Sequence, residues 1–335
     1  MKLISDIDVA GKRVFLRADL DVGETLNAES LTTNARLNNL KPTVKYLLEH
    51  EVARILVAGH IGRPQGVDPN LSTKYLLGPL KNILGQEIFF QENFEQENGG
   101  KIVLFENLRF WPGEEANDEE FAQKLANLAD IYINEAFGVC HRAHASTVGV
   151  PALLPHAAGL HLQKEVETLS KLLNQPERPF VAIVGGAKLE TKIPVIDNLA
   201  KVADSVMVGG LIAKELASSG QRLASSKVAI ASLNEDEKDI DQESIDKFVE
   251  VIKSAKTVVW NGPMGYFEGG FEEGTIAIAT AICNSGVYSV VGGGDTTEFL
   301  ASRNLLTGFS FVSAGGGAML DFLAGKKLPA LEALA

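Results

Sequence analysis

The stretch best suited to chemistry is an apolar run that ends in three glycines followed by an acidic residue. After residues 287–291 come Gly292, Gly293 and Gly294, and then Asp295 and Thr296 open a segment with a helical pattern. Glycine has no Cβ, so an anion can approach the backbone closely, and the N–H groups at a helix start attract it. A carboxylate is the ligand type that holds a phosphate-bound Mg²⁺. A plain tight turn needs fewer glycines, so the pattern favours a phosphate site.

A second glycine-rich stretch follows the apolar run 181–184 and carries two lysines. Gly186 and Ala187 precede Lys188, and Lys192 comes one helical turn later, which places both lysines on one helix face. A lysine that reaches from a phosphate loop supplies a mobile positive charge to a transferring phosphoryl group. The stretch is not a Walker A loop, because Gly-x-x-x-x-Gly-Lys-Ser/Thr does not occur in it.

Three further strand ends in the second half carry groups suited to a nucleotide. Gly210 would let a flat base pass close to the backbone, Pro263 offers an apolar wall, and Glu268 can accept hydrogen bonds from ribose hydroxyls. Gly315 and Gly316 open a second nest of backbone N–H groups before the last helix. Each signal alone is weak, but together they predict a nucleotide site.

In the first half, arginines and histidines follow successive strand patterns. The carboxyl ends of parallel strands meet at one sheet edge, so these side chains should converge there. The planar fork of arginine binds carboxylate and phosphate through two hydrogen bonds, which predicts a small ligand with a phosphate and a carboxylate. Taken singly, each arginine could equally be a solvated charge or a partner of a nearby glutamate. The expected "basic crevice" consists of Arg36, Arg63, Arg109, Arg142, His60 and His144. Arg17 lies inside a strand run next to Asp19 and is interpreted instead as a structural ion-pair partner.

Short β-branched runs alternate with helical patterns along the whole chain and would position these strand ends. The runs are apolar on both faces, as strands of a parallel sheet covered by helices should be. The predicted fold class is therefore α/β: two Rossmann-like three-layer domains with parallel sheets, joined by a hinge helix. The runs are 14–18, 55–58, 88–90, 102–105 and 131–133 before the break, and 181–184, 206–208, 228–230, 258–260, 287–291 and 309–312 after it. Helical patterns cover 42–49, 118–128, 191–201 and 243–253.

Prolines and glycines break the chain near 151–179, around a helical run at 162–173. We therefore predict a first domain at 1–155, an interdomain helix and hinge at 156–178, and a second domain at 179–325. The tail 326–335 is expected to pack back toward the first domain.

Composition restricts the class of protein. The 335 residues are 45% apolar and 22% charged, values typical of a globular chain. No apolar run has the length of a membrane span, and the acidic N-terminus does not resemble a signal peptide. The two cysteines, Cys140 and Cys283, lie far apart in sequence, which fits a reducing cytoplasm. The net charge of −12 argues against nucleic-acid binding.

These stretches resemble the phosphoglycerate kinase family along nearly the whole chain. The residues that carry the resemblance are 59–64 (GHIGRP), 106–115 (ENLRFWPGEE), 136–138 with 141–149 (AFG, HRAHASTVG), 185–188 (GGAK), 260–265 (WNGPMG), 292–295 (GGGD) and 315–318 (GGGA). So many motifs in the same order make the resemblance highly specific.

The resemblance implies a reversible glycolytic phosphoryl transfer from 1,3-bisphosphoglycerate to MgADP, giving 3-phosphoglycerate and MgATP. It implies Mg²⁺ as cofactor, a monomer, and closure of a phosphoglycerate-binding first domain on a nucleotide-binding second one. The implied phosphoglycerate ligands are Asp19, Asp21, Arg36, His60, Arg63, Arg109 and Arg142. The implied transfer groups are Arg36, Lys192, Gly315 and Gly316. The implied nucleotide ligands are Gly186, Ala187, Lys188, Lys192, Gly210, Pro263, Glu268, Gly293, Gly294, Asp295 and Thr296. Asp295 would also bind Mg²⁺, and Thr296 would cap its helix.

The chain departs from the family pattern in a few places. It runs almost directly from residue 220 to the strand pattern 228–230, where the family has a further crossover helix, so Leu223 and Ile240 are the remaining candidates for the adenine pocket. Leu211 stands where the family has a third glycine, and Asp21 stands where it has asparagine. An acceptor-only carboxylate beside an anionic substrate is unfavourable unless an arginine neutralises it.

Two alternatives differ in class. The first is a catalytically weakened homologue of the same fold that binds ligands without turnover, motivated by the shortened second half. The second is a dinucleotide-dependent dehydrogenase, which requires Gly-x-Gly-x-x-Gly in the first strand–helix turn. The first turn here, 19–23, lacks those glycines.

Overall fold

The computed structural model describes residues 1–22, 31, 34–95, 99–218 and 226–335. Leu223, a candidate for the adenine pocket, lies outside the described residues. The chain divides into two compact units: unit 1 comprises Met1–Val166 and Lys327–Ala335, and unit 2 comprises Glu167–Lys326.

The described residues of unit 1 form a six-stranded parallel sheet in the order β3-β4-β2-β1-β5-β6. The chain moves from β1 toward β2 in one direction and from β5 toward β6 in the other, so the order reverses between β1 and β5. Open α/β sheets bind ligands at such a reversal, beyond the carboxyl ends of the strands. The strands are β1 Arg13–Arg17, β2 Arg54–Ala58, β3 Ile88–Gln91, β4 Ile102–Phe105, β5 Ile131–Asn134 and β6 His156–Ala158.

Helices cover this sheet, and β-branched and leucine side chains from both layers form one apolar core. Capping defines their ends: the Asp118 carboxylate accepts the Phe121 N–H at 2.8 Å at the start of α5. The helices are α1 Ala35–Asn38, α2 Lys41–Glu49, α3 Leu77–Leu84, α4 Pro112–Glu115, α5 Glu119–Ala126, α6 Val150–Leu153 and α7 Leu160–Asn174. The division between the units falls within α7.

Unit 2 repeats the same architecture with a parallel sheet in the order β12-β11-β10-β7-β8-β9. Here the order reverses between β7 and β10, which pair directly from Thr257 with Phe180 to Asn261 with Val184. The strands are β7 Phe180–Val184, β8 Ser205–Val208, β9 Val228–Ile230, β10 Thr257–Asn261, β11 Tyr288–Gly292 and β12 Phe311–Ser313. The helices are α8 Leu189–Val202, α9 Leu211–Ser218, α10 Gln242–Ser254, α11 Glu273–Ser285, α12 Gly294–Ser302 and α13 Gly317–Leu323.

The predicted fold class is confirmed: both units are parallel α/β sheets covered by helices. Two details of the strand prediction were wrong. Five strands were expected in the first half, but His156–Ala158 forms a sixth, paired in parallel with β5. The run 228–230 was expected to be buried on both faces, but β9 is an edge strand and the Ile230 side chain is 41% exposed.

The C-terminal residues belong to unit 1. Helix α14, Pro329–Glu332, lies in them, the Ala330 N–H donates to the Cys140 carbonyl at 3.1 Å, and the Lys2 N–H donates to the Leu334 carbonyl at 3.2 Å. Among the described residues, helices with the length and apolarity needed to cross a bilayer are absent.

Candidate active site

At the end of β1, unit 1 holds a buried carboxylate paired with an arginine. Arg36, in α1, donates from Nη1 to Asp19 Oδ1 at 3.1 Å. Asp19 is 6% exposed, and its other oxygen, Oδ2, is buried without a hydrogen-bond partner among the described residues. A buried acceptor without a donor costs free energy, so Asp19 Oδ2 is suited to a hydroxyl or N–H group of a ligand.

The loop after β2 brings a second carboxylate and a second arginine together. The Gly62 N–H donates to Asp21 Oδ1 at 2.9 Å, and Arg109 Nη1 donates to the Gly62 carbonyl at 2.5 Å. Arg109 Nε also lies 3.0 Å from Glu115 Oε1 without hydrogen-bond alignment. Burial lowers the pKa of Arg109, and the neighbouring Glu115 acts in the opposite direction. Arg109 is therefore a buried cation with only a partial counter-ion.

Burial and neighbouring cations set the protonation state of the two histidines of the basic crevice. Burial lowers the pKa of His60 well below its usual value, and the cations Arg17, Arg109 and Arg142 lower it further. Burial and the same three arginines lower the pKa of His144 to about 4. Both imidazoles are therefore neutral near pH 7. The positive charge of the crevice comes from its arginines alone, and the histidines contribute hydrogen bonds.

The structure brings most of the basic crevice together. Arg109, Arg142, His60 and His144 are close enough to shift each other's protonation. Arg36 pairs with Asp19, whose Oδ1 also accepts the Asp21 N–H at 3.4 Å. The Asp21 carboxylate lies 3.7 Å from His60 Nε2, which connects Arg36 to the rest of the crevice. Arg63 follows Gly62 with an exposed side chain.

Arg17, interpreted from sequence as a structural ion-pair partner, makes hydrogen bonds to residues other than its neighbour Asp19. Its side chain is 1% exposed and donates to Ser146 Oγ at 2.7 Å, to the Ala18 carbonyl at 2.5 Å and to His60 Nδ1 at 3.2 Å. Ser146 in turn donates to the buried Glu114 carboxylate at 2.5 Å. Sequence reasoning named Glu114 only as one of several possible arginine partners and missed Ser146, because an arginine within a strand does not indicate its distant partners.

Unit 2 contains an open cavity of about 280 Å³ at the reversal between β7 and β10, which we call the phosphate cavity. The loops after these strands form it together with the starts of α8, α12 and α13. Its lining residues are Gly186, Ala187, Lys188, Thr191, Lys192, Asn261, Gly262, Pro263, Gly293, Gly294, Asp295, Thr296, Gly316, Gly317 and Leu320.

Two lysines enter the phosphate cavity in different ways. Lys188 precedes α8 with extended backbone and an exposed side chain, whereas Lys192 lies within α8 and is 7% exposed. Lys192 Nζ donates to Asn261 Oδ1. Burial lowers the pKa of Lys192 to about 8, although the negative charge of Asp295 opposes that shift. Lys192 is thus a poorly solvated ammonium with room to gain an anionic partner.

The acidic helix start at α12 is arranged differently from the prediction in one respect. Asp295 is exposed and lines the phosphate cavity, as its position suggested. Thr296, however, does not cap its own helix: it is 1% exposed, and its Oγ1 accepts the Gly262 N–H at 3.0 Å. Thr296 therefore connects the α12 start to the loop after β10.

Glycines allow the loops of the phosphate cavity to lie against each other. Gly262 has φ +97°, and a Cβ there would lie 2.1 Å from the Gly185 carbonyl oxygen. Gly210 has φ +68°, and a Cβ there would lie 2.7 Å from the Gly186 nitrogen. Close packing of backbone on backbone thus accounts for both glycines.

Most of the predicted nucleotide ligands line this one cavity, but Gly210 and Glu268 do not, and Glu268 is exposed in the turn after β10. Of the predicted transfer groups, Lys192 and Gly316 line the cavity, whereas Gly315 does not. The cavity also includes Thr191, Asn261, Gly262 and Leu320, to which the sequence prediction gave no role. Asn261 was detectable, because it is a polar residue at the carboxyl end of a predicted strand at the sheet reversal.

Comparison with known proteins decides the family. The model of the phosphoglycerate kinase family matches residues 4–237 and 219–326. The chain belongs to the phosphoglycerate kinase family. A phosphoglycerate kinase of Acidobacterium capsulatum is 38% identical, with 99% of this chain and 98% of the relative covered. One of Dictyoglomus turgidum is also 38% identical, with 99% and 97% covered.

Solved phosphoglycerate kinase structures agree. That of Coxiella burnetii has a TM-score of 0.83 at 33% identity and covers 99% of this chain and 98% of its own. That of Pyrococcus horikoshii has a TM-score of 0.81 at 27% identity and covers 100% and 98%.

The comparisons also locate where this family member is short. Its alignment with the Acidobacterium relative spans 397 positions, although the chain has 335 residues, so tens of positions in that phosphoglycerate kinase have no counterpart. The two matches to the family model overlap at 219–237, so this segment aligns with two different parts of the family pattern. This overlap lies next to the stretch after residue 220 where the sequence analysis expected a missing crossover helix.

Proposed function

We propose that this chain catalyses reversible transfer of the acyl phosphate of 1,3-bisphosphoglycerate to MgADP, giving 3-phosphoglycerate and MgATP. The observation that carries the proposal is the buried Lys192 ammonium in a cavity lined by glycine loops at the sheet reversal of unit 2. Family membership and the basic crevice of unit 1 support it.

On the substrate side, the basic crevice would bind the phosphate and carboxylate of phosphoglycerate. Arg36, Arg63, Arg109 and Arg142 supply donors, and neutral His60 supplies a further N–H group. Asp19 Oδ2, buried without a donor, would accept a hydrogen bond from the glycerate hydroxyl. This combination fits a ligand that carries both anionic groups and a hydroxyl.

On the nucleotide side, the N–H groups around Gly186, Gly293 and Gly294, together with Lys188, would hold the nucleotide phosphates. Gly210 and Pro263 would contact the base, and Glu268 would accept hydrogen bonds from the ribose. Ala187 and Thr296 belong to the loops that would enclose the phosphates. The described residues contain no cluster of three metal ligands. A single carboxylate, Asp295, fits Mg²⁺ that arrives bound to nucleotide phosphates, as is usual for this ion. Bound there, Mg²⁺ would neutralise phosphate charge.

In the transfer step a terminal oxygen of ADP attacks the acyl phosphorus, the bond between phosphorus and the carboxyl oxygen breaks, and the carboxylate leaves. The step needs no proton transfer, so catalysis consists of positioning and charge stabilisation. In this step, Lys192, Arg36 and the N–H groups at Gly315 and Gly316 would stabilise the negative charge of the moving phosphoryl group. Bending about residues 156–178 would bring the bound ligands into reach.

The same proposal includes action as a monomer and a cytoplasmic location. It also includes domain boundaries at 1–155, 156–178, 179–325 and 326–335. The free cysteines Cys140 and Cys283 support a reducing compartment.

A coupled assay with 3-phosphoglycerate and MgATP tests the proposal, with each ligand's binding measured by calorimetry on the same preparation. We expect turnover that saturates in both substrates. Binding of both ligands without turnover would instead support the alternative, a homologue that binds ligands without catalysis.

A further inference from the structure

Arg17 has no role in the proposed chemistry, yet it is buried directly beneath the basic crevice. It occupies the last position of β1, pairs in register with Ala58 of β2 and Asn134 of β5, and is 1% exposed. A buried guanidinium is costly unless its donors are used. Its contacts therefore indicate what it does.

The hydrogen bonds of Arg17 form a chain with one possible direction. The Glu114 carboxylate accepts from Ser146 Oγ at 2.5 Å, and Ser146 Oγ accepts from Arg17 Nε at 2.7 Å. Arg17 Nη2 lies 3.2 Å from His60 Nδ1. Arginine has donors and no acceptor, so His60 Nδ1 must be the acceptor and carry no proton.

We infer that Arg17 is a positioning residue that fixes His60 as the neutral tautomer with its proton on Nε2. Because one ring nitrogen is held as an acceptor, the other must present an N–H group. His60 Nε2 lies 3.7 Å from Asp21 Oδ2, too far for a hydrogen bond, so this N–H group is available to a ligand.

Local packing holds the pair in place. A Cβ at Gly59 would lie 2.7 Å from the Ala18 carbonyl oxygen, so the glycine lets the backbone before His60 lie against the residue after Arg17. The titratable groups around the ring are Arg17, Arg109, Arg142, His144 and Asp21. Burial, together with three cations against one carboxylate, keeps the imidazole neutral, and the guanidinium on Nδ1 strengthens Nε2–H as a donor.

The tautomer is directly measurable. A long-range ¹H–¹⁵N correlation spectrum of the unliganded protein, labelled at histidine, distinguishes protonated from unprotonated ring nitrogens. We expect His60 to show unprotonated Nδ1 and protonated Nε2, unchanged as the pH rises from the usual histidine pKa of about 6.5 to about 8. A protonated Nδ1, or an imidazolium at neutral pH, would overturn the inference. This arm is independent of the proposed function.

The consequence for binding rests on the proposed function and uses 3-phosphoglycerate as the probe. Arg17→Met should let His60 adopt either neutral tautomer. We expect 3-phosphoglycerate binding to weaken about tenfold, which is the effect of losing one charge-assisted hydrogen bond. Arg13→Met is the matched control: Arg13 starts the same strand, is exposed and pairs with Asp130 at 2.8 Å, so binding should stay unchanged. Wild-type affinity together with a single Nε2–H tautomer in Arg17→Met would contradict the role.

A double-mutant cycle separates positioning from general damage. In His60→Gln the amide places an N–H group near the former Nε2 position without a tautomer choice, so adding Arg17→Met should cost little further affinity. An equal loss in both backgrounds would show that Arg17 acts independently of His60.

If Arg17→Met fails to fold, Ser146→Ala offers a second test. It removes the acceptor of Arg17 Nε and should shift the His60 spectrum in the same direction. An unchanged spectrum in Ser146→Ala would contradict the hydrogen-bond chain from Glu114 through Ser146 and Arg17 to His60. A protein with the expected spectrum that does not bind 3-phosphoglycerate would refute the proposed function and leave the tautomer assignment standing.

Discussion

The two candidate sites occupy equivalent positions in similar folds but use different groups. In unit 1 the basic crevice is built from side chains, and carboxylates already contact its arginines: Asp19 on Arg36, and Glu115 beside Arg109. In unit 2 the phosphate cavity is built mainly from backbone turns, with one buried ammonium, Lys192, held by an amide oxygen. The same fold can thus line a candidate anion site mainly with charged side chains or mainly with backbone turns.

The difference predicts different sensitivity to substitution. A site made of charged side chains loses affinity when a charge changes, while its fold survives. A site made of backbone turns should lose its architecture when a Cβ is added at a close approach. The predictions below test this contrast, from the largest expected effect to the smallest.

The largest effect should come from Lys192→Ala. Loss of a group that stabilises the moving phosphoryl should lower kcat by about 10²–10³-fold, with a much smaller change in the dissociation constant of MgATP. Arg36→Ala is the matching substitution in unit 1 and should likewise lower turnover more than 3-phosphoglycerate binding. Steady-state kinetics with calorimetry measure both quantities. Equal losses in rate and affinity would remove these residues from the transfer step.

Gly262→Ala tests the backbone side of the comparison. The added Cβ meets the Gly185 carbonyl at an unfavourable φ, so we expect the free energy of unfolding to fall by about 2–5 kcal/mol, with loss of MgATP binding. Denaturant titration measures this. Gly78→Ala in α3 is the control, because a Cβ there meets no atom within 4 Å and alanine favours helix. If both variants were equally stable, close backbone packing would not define the cavity.

The pH dependence should differ between the two sites. The pKa of Lys192 is lowered to about 8, so its ammonium is present below that pH and is lost as pH rises through it. We therefore expect kcat/KM for MgATP to fall above about pH 8. Lys192→Arg keeps a positive charge and should move this decline to higher pH. Binding of 3-phosphoglycerate should show no matching decline, since arginines stay charged. A decline unchanged in Lys192→Arg would assign it to another group.

The smallest effect should come from Asp21→Asn. The substitution keeps an oxygen for the Gly62 N–H and removes a negative charge beside Arg109. Removal of this charge should strengthen the binding of 3-phosphoglycerate. The expected gain is only about two- to fivefold, because Asp21 is 36% exposed and solvent screens its charge. Glu49→Gln, on the exposed side of α2, is the control and should leave the affinity unchanged. Weaker binding of Asp21→Asn would mean that the carboxylate itself contacts the ligand.

Strand ends were the most predictable part of the molecule. Apolar runs predict parallel strands, and the carboxyl ends of parallel strands lie at one sheet edge, so Lys192 and Asp295 could be assigned to one site from sequence alone. The two residues do line one cavity. Strand β6 was missed, because His156–Ala158 is three residues long and lacks β-branched side chains. The charge of His60 could not be predicted, since it depends on burial and on arginines such as Arg17 that are distant in sequence. The hydrogen bond of Thr296 could not be predicted either, because its partner Gly262 lies on another loop.

The most direct test of the account is a crossed binding experiment with one substitution in each unit. Arg109→Met and Lys188→Met are each titrated with 3-phosphoglycerate and with MgATP by calorimetry. The account predicts that Arg109→Met weakens 3-phosphoglycerate binding and leaves MgATP binding intact, and that Lys188→Met does the reverse. If either substitution weakened both ligands equally, or if the pattern were inverted, the assignment of one anion to each unit would be contradicted.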